Sequence, residues 1–147
     1  MSETEVLKVR LLRNGAKLPW RATPLATGYD VFACLESGLP LELGPDVVLV
    51  PTGIAIEAPF GYDVQIQPRS GLSRHGVAVE LGTIDADYRG ELFVAMRTFG
   101  SRSSYLIERG DRIAQLVIAR LADISLQVVD VLTPTARDES GHGSTGR

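Results

Sequence analysis

The segment at positions 82–91 holds an unusual concentration of reactive side chains. Its sequence, GTIDADYRGE, brings two aspartates, an aromatic ring and an arginine into one turn between apolar segments. A β-turn alone would explain the aspartates and glycines, because both tolerate turn dihedral angles. Taken by itself, the segment leaves a plain turn as the first interpretation, and a functional one depends on the rest of the chain.

Three further segments carry groups suited to an anion. Residues 68–72, PRSGL, place an arginine, a hydroxyl and glycine amides together, and these are the donors that a phosphate chain needs. Asp30 lies in an otherwise uncharged, strand-like stretch, and Gln115 is embedded in an apolar stretch that follows the charged turn at 109–112. Together these residue types indicate a local anion site.

The glycine-rich end at 141–146, GHGSTG, resembles a phosphate-binding loop only superficially. It lacks the lysine of the P-loop pattern and has no following helix, so by itself it indicates a solvated terminus.

Composition narrows the class of protein. The chain has 147 residues, 44% of them hydrophobic, which suits one domain with one core. Its net charge of −3 argues against a nucleic-acid partner, since a basic surface supplies most of that affinity. No stretch approaches the ~20 apolar residues of a membrane span and the acidic start lacks signal-peptide features, so we expect a cytoplasmic protein without a membrane partner.

Short apolar segments separated by glycines and prolines predict an all-β fold, a sandwich or barrel. Predicted strands are Val47–Val50, Val64–Gln67, Leu92–Met96 and Val128–Leu132. The stretch 112–120 could be a helix or a buried strand, and its β-branched content and flanking glycine favour a strand.

Three local features complete this prediction. The one plausible helical turn is 71–75, and Cys34 is predicted to be a buried, inert thiol. Residues 134–147 contain no large aliphatic side chain, so we expect a flexible tail after a domain at 1–133.

In their order and spacing along the chain, the five segments resemble the motifs of the trimeric dUTPase family, from about Lys17 to Gly146. The resemblance implies a jelly-roll domain that assembles as a homotrimer, with active sites at the subunit interfaces. It implies hydrolysis of dUTP to dUMP and pyrophosphate, which limits uracil entry into DNA and supplies dUMP for thymidylate synthesis.

The resemblance also assigns roles to two aspartates. Asp85 matches the residue that orients and deprotonates a water for attack on the α-phosphorus, and Asp30 matches the carboxylate that holds Mg²⁺ through water. A turn aspartate without a ligand role remains the alternative for Asp30.

Tyr88 matches a tyrosine that packs on the sugar and excludes a 2′-hydroxyl, although a core tyrosine remains the alternative. A β-hairpin at about 76–85 would read uracil through its backbone. The implied substrate contacts are Arg69, Ser70, Gly71, Val79, Gly82, Thr83, Ile84, Tyr88, Phe93, Gln115, Arg137, His142, Gly143, Ser144 and Thr145.

The tail departs from the family pattern. His142 stands where an aromatic ring usually stacks over uracil, and Asp138 and Glu139 add negative charge beside a triphosphate. We therefore expect the tail to close over the site more weakly than in relatives, or with more sensitivity to pH.

Two other functions stay open on the sequence. A dCTP deaminase shares the jelly roll and trimer but resembles P-R-S-S rather than P-R-S-G. A catalytically silent nucleotide-binding module would keep the pocket without turnover.

Overall fold

The computed structural model describes residues 5–141, and period-two alternation of apolar side chains underlies most of its strands. In β6 and β9, defined below, every second residue is buried while its neighbours are partly exposed. Within the described residues the chain forms eleven strands and one short helix. These elements are β1 (Lys8–Leu11), β2 (Gly28–Phe32), β3 (Leu41–Leu43), β4 (Val48–Pro51), β5 (Ile54–Glu57), β6 (Tyr62–Gln67), α1 (Ser70–Arg74), β7 (Val77–Val79), β8 (Gly82–Ile84), β9 (Phe93–Thr98), β10 (Tyr105–Ile107) and β11 (Arg112–Arg120).

Two antiparallel sheets dominate the architecture. One has four strands in the order β2-β11-β6-β8, and the other has three in the order β4-β9-β7. The pairs β1-β5 and β3-β10 form two smaller sheets. The described residues thus make a jelly-roll-like sandwich in which the sheets do not close into a barrel.

A single buried cluster joins the two larger sheets. Val64 and Leu116 from the four-stranded sheet belong to it, as do Val94 and Met96 from the three-stranded sheet, and none is more than 1% exposed. Each such side chain contributes about 1.5–3 kcal/mol by leaving water. This shared core fixes the positions of the strand ends that carry the polar residues.

The structure confirms the all-β fold with one short helix. It confirms strands over most of the predicted 47–50, 64–67 and 92–96, a strand over 112–120 and a helical turn beginning at Ser70. Cys34 is buried as predicted, with 1% of its surface exposed.

Two predictions about local structure are wrong. Val128–Leu132 forms no strand, because residues 121–141 have no neighbouring strand to pair with in the described chain, and β propensity alone does not hold a strand. The expected hairpin at 76–85 is also absent. Its two strands join different sheets, β7 pairing with β9 and β8 with β6.

Residues 121–141 contain neither helix nor strand, and almost all are exposed. The division at position 133 stays a prediction. No helix among residues 5–141 has the length and apolar character required to cross a membrane.

Candidate active site

The start of α1, the β2 strand and the β11 strand enclose a pocket of about 310 Å³, which we call the arginine pocket. It gathers five of the predicted site residues from segments far apart in sequence. The pocket is lined by Ala22, Ala26, Thr27, Gly28, Asp30, Arg69, Ser70, Gly71, Arg112 and Gln115.

Asp30 is the anionic centre of the arginine pocket. Arg69 Nε donates to its Oδ1 at 2.8 Å, and Arg112 Nη1 lies 3.5 Å from its Oδ2. Its backbone is fixed by an antiparallel bridge to Trp20, with N···O distances of 2.7 and 3.0 Å. Two arginines against one carboxylate leave the pocket with surplus positive charge, which suits a polyanionic ligand.

Gln115 lies opposite Asp30 in the sheet, so both side chains project from the same face. Its Nε2 donates to the carbonyl of Pro68 at 2.9 Å, which holds the amide against the start of α1. A Cβ at Gly28 would lie 2.0 Å from Gln115 Oε1. Glycine at position 28 is therefore required for this placement of the glutamine.

The second pocket, of about 270 Å³, lies at the other edge of the four-stranded sheet, and we call it the turn pocket. It brings together six predicted site residues with three others. Its lining consists of Ile66, Gly82, Thr83, Ile84, Asp85, Tyr88, Glu91, Leu92 and Phe93.

The turn that follows β8 presents Asp85 and Tyr88 to this pocket. Tyr88 N donates to Asp85 O at 3.0 Å, which closes a β-turn, and Tyr88 Oη donates to Glu91 O at 2.9 Å. A Cβ at Gly90 would lie 2.5 Å from Tyr88 Oη, so glycine makes room for the ring. Asp85 is exposed, and among the described residues no donor occupies its carboxylate.

The two pockets share no residue and lie far apart in one chain. Asp30 faces Gln115, which faces Gln67, while the next strand places Ile84 opposite Val64. At ~4.8 Å between strands and ~3.3 Å per residue, Asp30 and Asp85 are separated by about 20 Å. A single chain therefore cannot bring Asp85 to a ligand group held beside Asp30.

Some predicted residues lie outside both pockets. Val79 is buried in the core, because its side chain faces the space between the sheets. Arg137 is exposed in a local turn, where its Nε donates to Ser140 O at 3.1 Å. His142, Gly143, Ser144 and Thr145 fall outside the described residues.

The prediction missed Arg112 and Glu91. Arg112 could have been found, because it lies on the same strand as Gln115 and follows a glycine turn. Glu91 carried no such signal, because its ion-pair partner Arg13 is remote in sequence.

Comparisons with known proteins identify the family of this chain. A family model described as dUTPase matches residues 14–146. A deoxyuridine 5'-triphosphate nucleotidohydrolase of Anaplasma marginale is 45% identical, over 96% of this chain and 99% of that protein. Another from Syntrophotalea carbinolica is 44% identical, over 98% and 99%.

Solved structures lead to the same family. The Staphylococcus bacteriophage 80alpha dUTPase with dUpNHpp superimposes with a TM-score of 0.85 at 30% identity, covering 98% of this chain and all of that one. The dUTPase from phage phi11 of S. aureus, solved in a mutant form that shows the coordination of a structural Mg(II) ion, superimposes at 0.76 and 27% identity, covering 88% and 99%.

Proposed function

Since this chain belongs to the dUTPase family, we propose that it hydrolyses dUTP to dUMP and pyrophosphate by attack of water on the α-phosphorus. The observation that carries the proposal is the match of the family over residues 14–146, which includes both pockets. The reaction would remove a precursor of uracil in DNA and supply dUMP for thymidylate synthesis.

The arginine pocket binds the phosphate chain. The Arg69 guanidinium, the Ser70 hydroxyl, the Gly71 amide and the second hydrogen of the Gln115 amide provide donors from one concave surface. Donors fixed in advance stabilise the charge that develops on the phosphates as the bond breaks. Arg112 adds to that positive charge from the pocket wall.

Asp85 is the general base in this proposal. A carboxylate within hydrogen-bond reach of the attacking water accelerates the reaction by about 10²–10⁴. Exposure of Asp85, and the lack of a competing donor among the described residues, leave its oxygens available for that water. The proton is transferred from the water to the carboxylate as oxygen attacks phosphorus.

The turn pocket holds deoxyuridine. Tyr88 packs on the sugar and leaves no room for a 2′-hydroxyl, while backbone groups of Gly82, Thr83 and Ile84 read the edge of uracil. Phe93 contributes from the start of β9, where it lies against the pocket. Because β7 and β8 belong to different sheets, the reading edge is β8 and the turn after it.

The residues present fit a Mg²⁺ ion held mainly by the substrate. Among residues 5–141, no group of three or more histidine, cysteine, aspartate or glutamate side chains could hold a metal ion. Mg²⁺ commonly binds through substrate phosphates and waters with one or two carboxylates, and Asp30 would hold it through water. When bound, the ion neutralises phosphate charge. Among the described residues, each Asp30 oxygen has one arginine contact, which leaves acceptor capacity for a metal-bound water.

Separation of the two pockets supports an assembly in which each active site combines the arginine pocket of one copy with the turn pocket of the next. Such a contact is heterologous, and it closes into a ring when the rotation permits. Membership of the dUTPase family supports an assembly of three copies, because the resemblance to that family implies a homotrimer. Residues 121–132 add support, since Leu126 is 97% exposed and Val128 is 98% exposed, a surface suited to burial against another copy.

We further propose that the tail covers the bound nucleotide. Arg137, Ser144 and Thr145 would contact the γ-phosphate, with Gly143 allowing close approach, and His142 would stack on uracil. Asp138 and Glu139 would raise the cost of this closure because they bring negative charge towards the phosphates.

A pyrophosphate-release assay with dUTP, dTTP, dCTP and UTP, with and without a chelator, tests the proposal. We expect turnover of dUTP alone and its loss when the chelator is added. Ammonia release from dCTP would indicate a deaminase, and nucleotide binding without pyrophosphate would indicate a silent module.

A further inference from the structure

We infer that the Arg13–Glu91 ion pair is a positioning device for the turn pocket. It sets the dUTP-over-UTP selectivity by holding the turn that carries Tyr88 and Asp85. This inference rests on the proposed function, because it assigns Tyr88 to the sugar. Neither Arg13 nor Glu91 is needed for the chemistry itself, so both are positioning residues.

The Glu91 carboxylate points away from the solvent-exposed turn and into the body of the domain. Its Oε1 accepts from Gly53 N at 2.7 Å and pairs with Arg13 Nη2, and only 14% of its side chain is exposed. The same Arg13 nitrogen donates to the carbonyl of Cys34 at 3.1 Å. One carboxylate oxygen therefore ties the end of the turn to the segments at 13, 34 and 53.

The backbone of Glu91 connects this restraint to Tyr88, on the side of the turn that faces the proposed substrate. Its carbonyl accepts the Tyr88 hydroxyl at 2.9 Å, which fixes the ring against the pocket. The next residue, Leu92, donates to Ile54 O at 2.8 Å and accepts from Thr52 Oγ1 at 2.6 Å. The chain is thus held on both sides of the one carbonyl that holds the tyrosine.

Gly53 is part of the same device. Its φ of +70° lies in the left-handed region, and a Cβ there would lie 2.9 Å from Ala16 Cβ and from Cys34 Sγ. Only glycine allows its amide to reach Glu91 from this position. The strand connection between β4 and β5 is therefore shaped to meet the carboxylate.

The chemistry of the pair favours positioning over stability. The hydrogen bond from Arg13 to Glu91 raises the pKa of Arg13, against desolvation that lowers it. Buried Arg13 Nε has no partner among the described residues. Replacing a buried ion pair by apolar residues of similar volume is often neutral or stabilising, so the pair by itself is weak evidence for stabilisation. Its contact with the turn gives it a more specific role.

The test compares Glu91→Asp with Glu91→Gln in full-length protein. Aspartate is one methylene shorter and withdraws the oxygen from Gly53 N, whereas glutamine keeps an acceptor in place for both donors. We expect Glu91→Asp to lower the ratio of kcat/KM for dUTP over UTP by about tenfold or more, since small misplacements have large effects. Glu91→Gln should stay within about threefold of wild type, because its amide oxygen keeps both hydrogen bonds, and their geometry rather than the charge holds the turn.

Glu36→Gln is the matched control. Glu36 lies 3.9 Å from Arg13 Nη1, but its side chain is 78% exposed, and its one ion pair among the described residues is with Arg13 and not with the turn. Its substitution should leave selectivity unchanged. Thermal melting of each variant identifies losses that come only from unfolding.

A Glu91→Asp variant with wild-type selectivity, at whatever rate, would overturn the inference, because a merely structural role lowers both rates equally. Wild type and Asp85→Asn are assayed in parallel. If wild type fails to cleave dUTP, or Asp85→Asn cleaves it normally, the proposed function has failed instead.

Discussion

The arginine pocket is built from side chains that contact one another directly, whereas the turn pocket depends on a turn that is fixed from its far side. Asp30, within β2, is ion-paired with Arg69, just before α1, and with Arg112, at the start of β11. In the turn pocket the Asp85 side chain is exposed, and the Tyr88 side chain is tied to the scaffold through Glu91. The difference suggests that affinity is preformed in one pocket, while selectivity and proton transfer depend on how precisely the other is presented.

Asp85→Asn should separate the roles of the two pockets most clearly, because it should change catalysis and not binding. The amide cannot accept the proton of the attacking water, so we expect kcat to fall by about 10²–10⁴. Since the arginine pocket is untouched, binding of a non-hydrolysable dUTP analogue should stay unchanged. Steady-state kinetics and calorimetric binding measure the two effects, and an unchanged kcat would end the general-base assignment.

Truncation after Thr133 tests whether turnover requires the tail to cover the two pockets. In sedimentation the shortened protein should keep its oligomeric state. It should lose most of its turnover, because without the tail bulk water surrounds the phosphates and weakens the donors that stabilise their charge. Full activity would remove the covering role of the tail.

Tyr88→Ala affects the turn pocket alone. Removing the ring opens space beside the sugar, so relative kcat/KM for UTP should rise by about 10–100-fold. Phe60→Ala, which removes an aromatic ring that is 99% exposed, serves as the control. Undiminished rejection of UTP would contradict the sugar contact.

The smallest expected effect lies outside both pockets. The Lys8 ammonium, 2.9 Å from Glu57, lowers the pKa of that carboxyl below its ordinary 4.5. A lowered carboxyl pKa contributes stability above 4.5 that is lost as the pH falls through the folded value. Lys8→Gln should therefore lower Tm by less than about 2 °C at pH 7. The difference should shrink as the pH falls below 4.5, and a difference that does not shrink in acid would contradict the pairing.

Local patterns predicted much of the fold, since alternation in β6 and the β-branched content of β11 reflect burial on one face. Val128–Leu132 shows the limit of such patterns. Its short apolar run resembles a strand, yet a strand requires a neighbour, and no strand among residues 5–141 pairs with it. The switch between sheets at 80–81 was missed for a related reason, because pairing partners are set by distant segments.

The candidate site was predictable where its residues carry a distinctive local motif. Asp30, Arg69 and Gln115 meet as expected because each follows a recognisable turn or strand. The Arg13–Glu91 pair was not predictable, because nothing in either segment indicates that the two approach.

A mixing experiment tests the central claim, that each active site joins two pockets from different copies. Arg69→Ala disables the arginine pocket and Asp85→Asn disables the turn pocket, so each protein alone should be nearly inactive. When the two are co-assembled in equal amounts, random cyclic association gives about one quarter of the sites both intact pockets. We therefore predict recovery to about a quarter of wild-type activity. Activity no higher than the sum of the two separate variants would contradict the account.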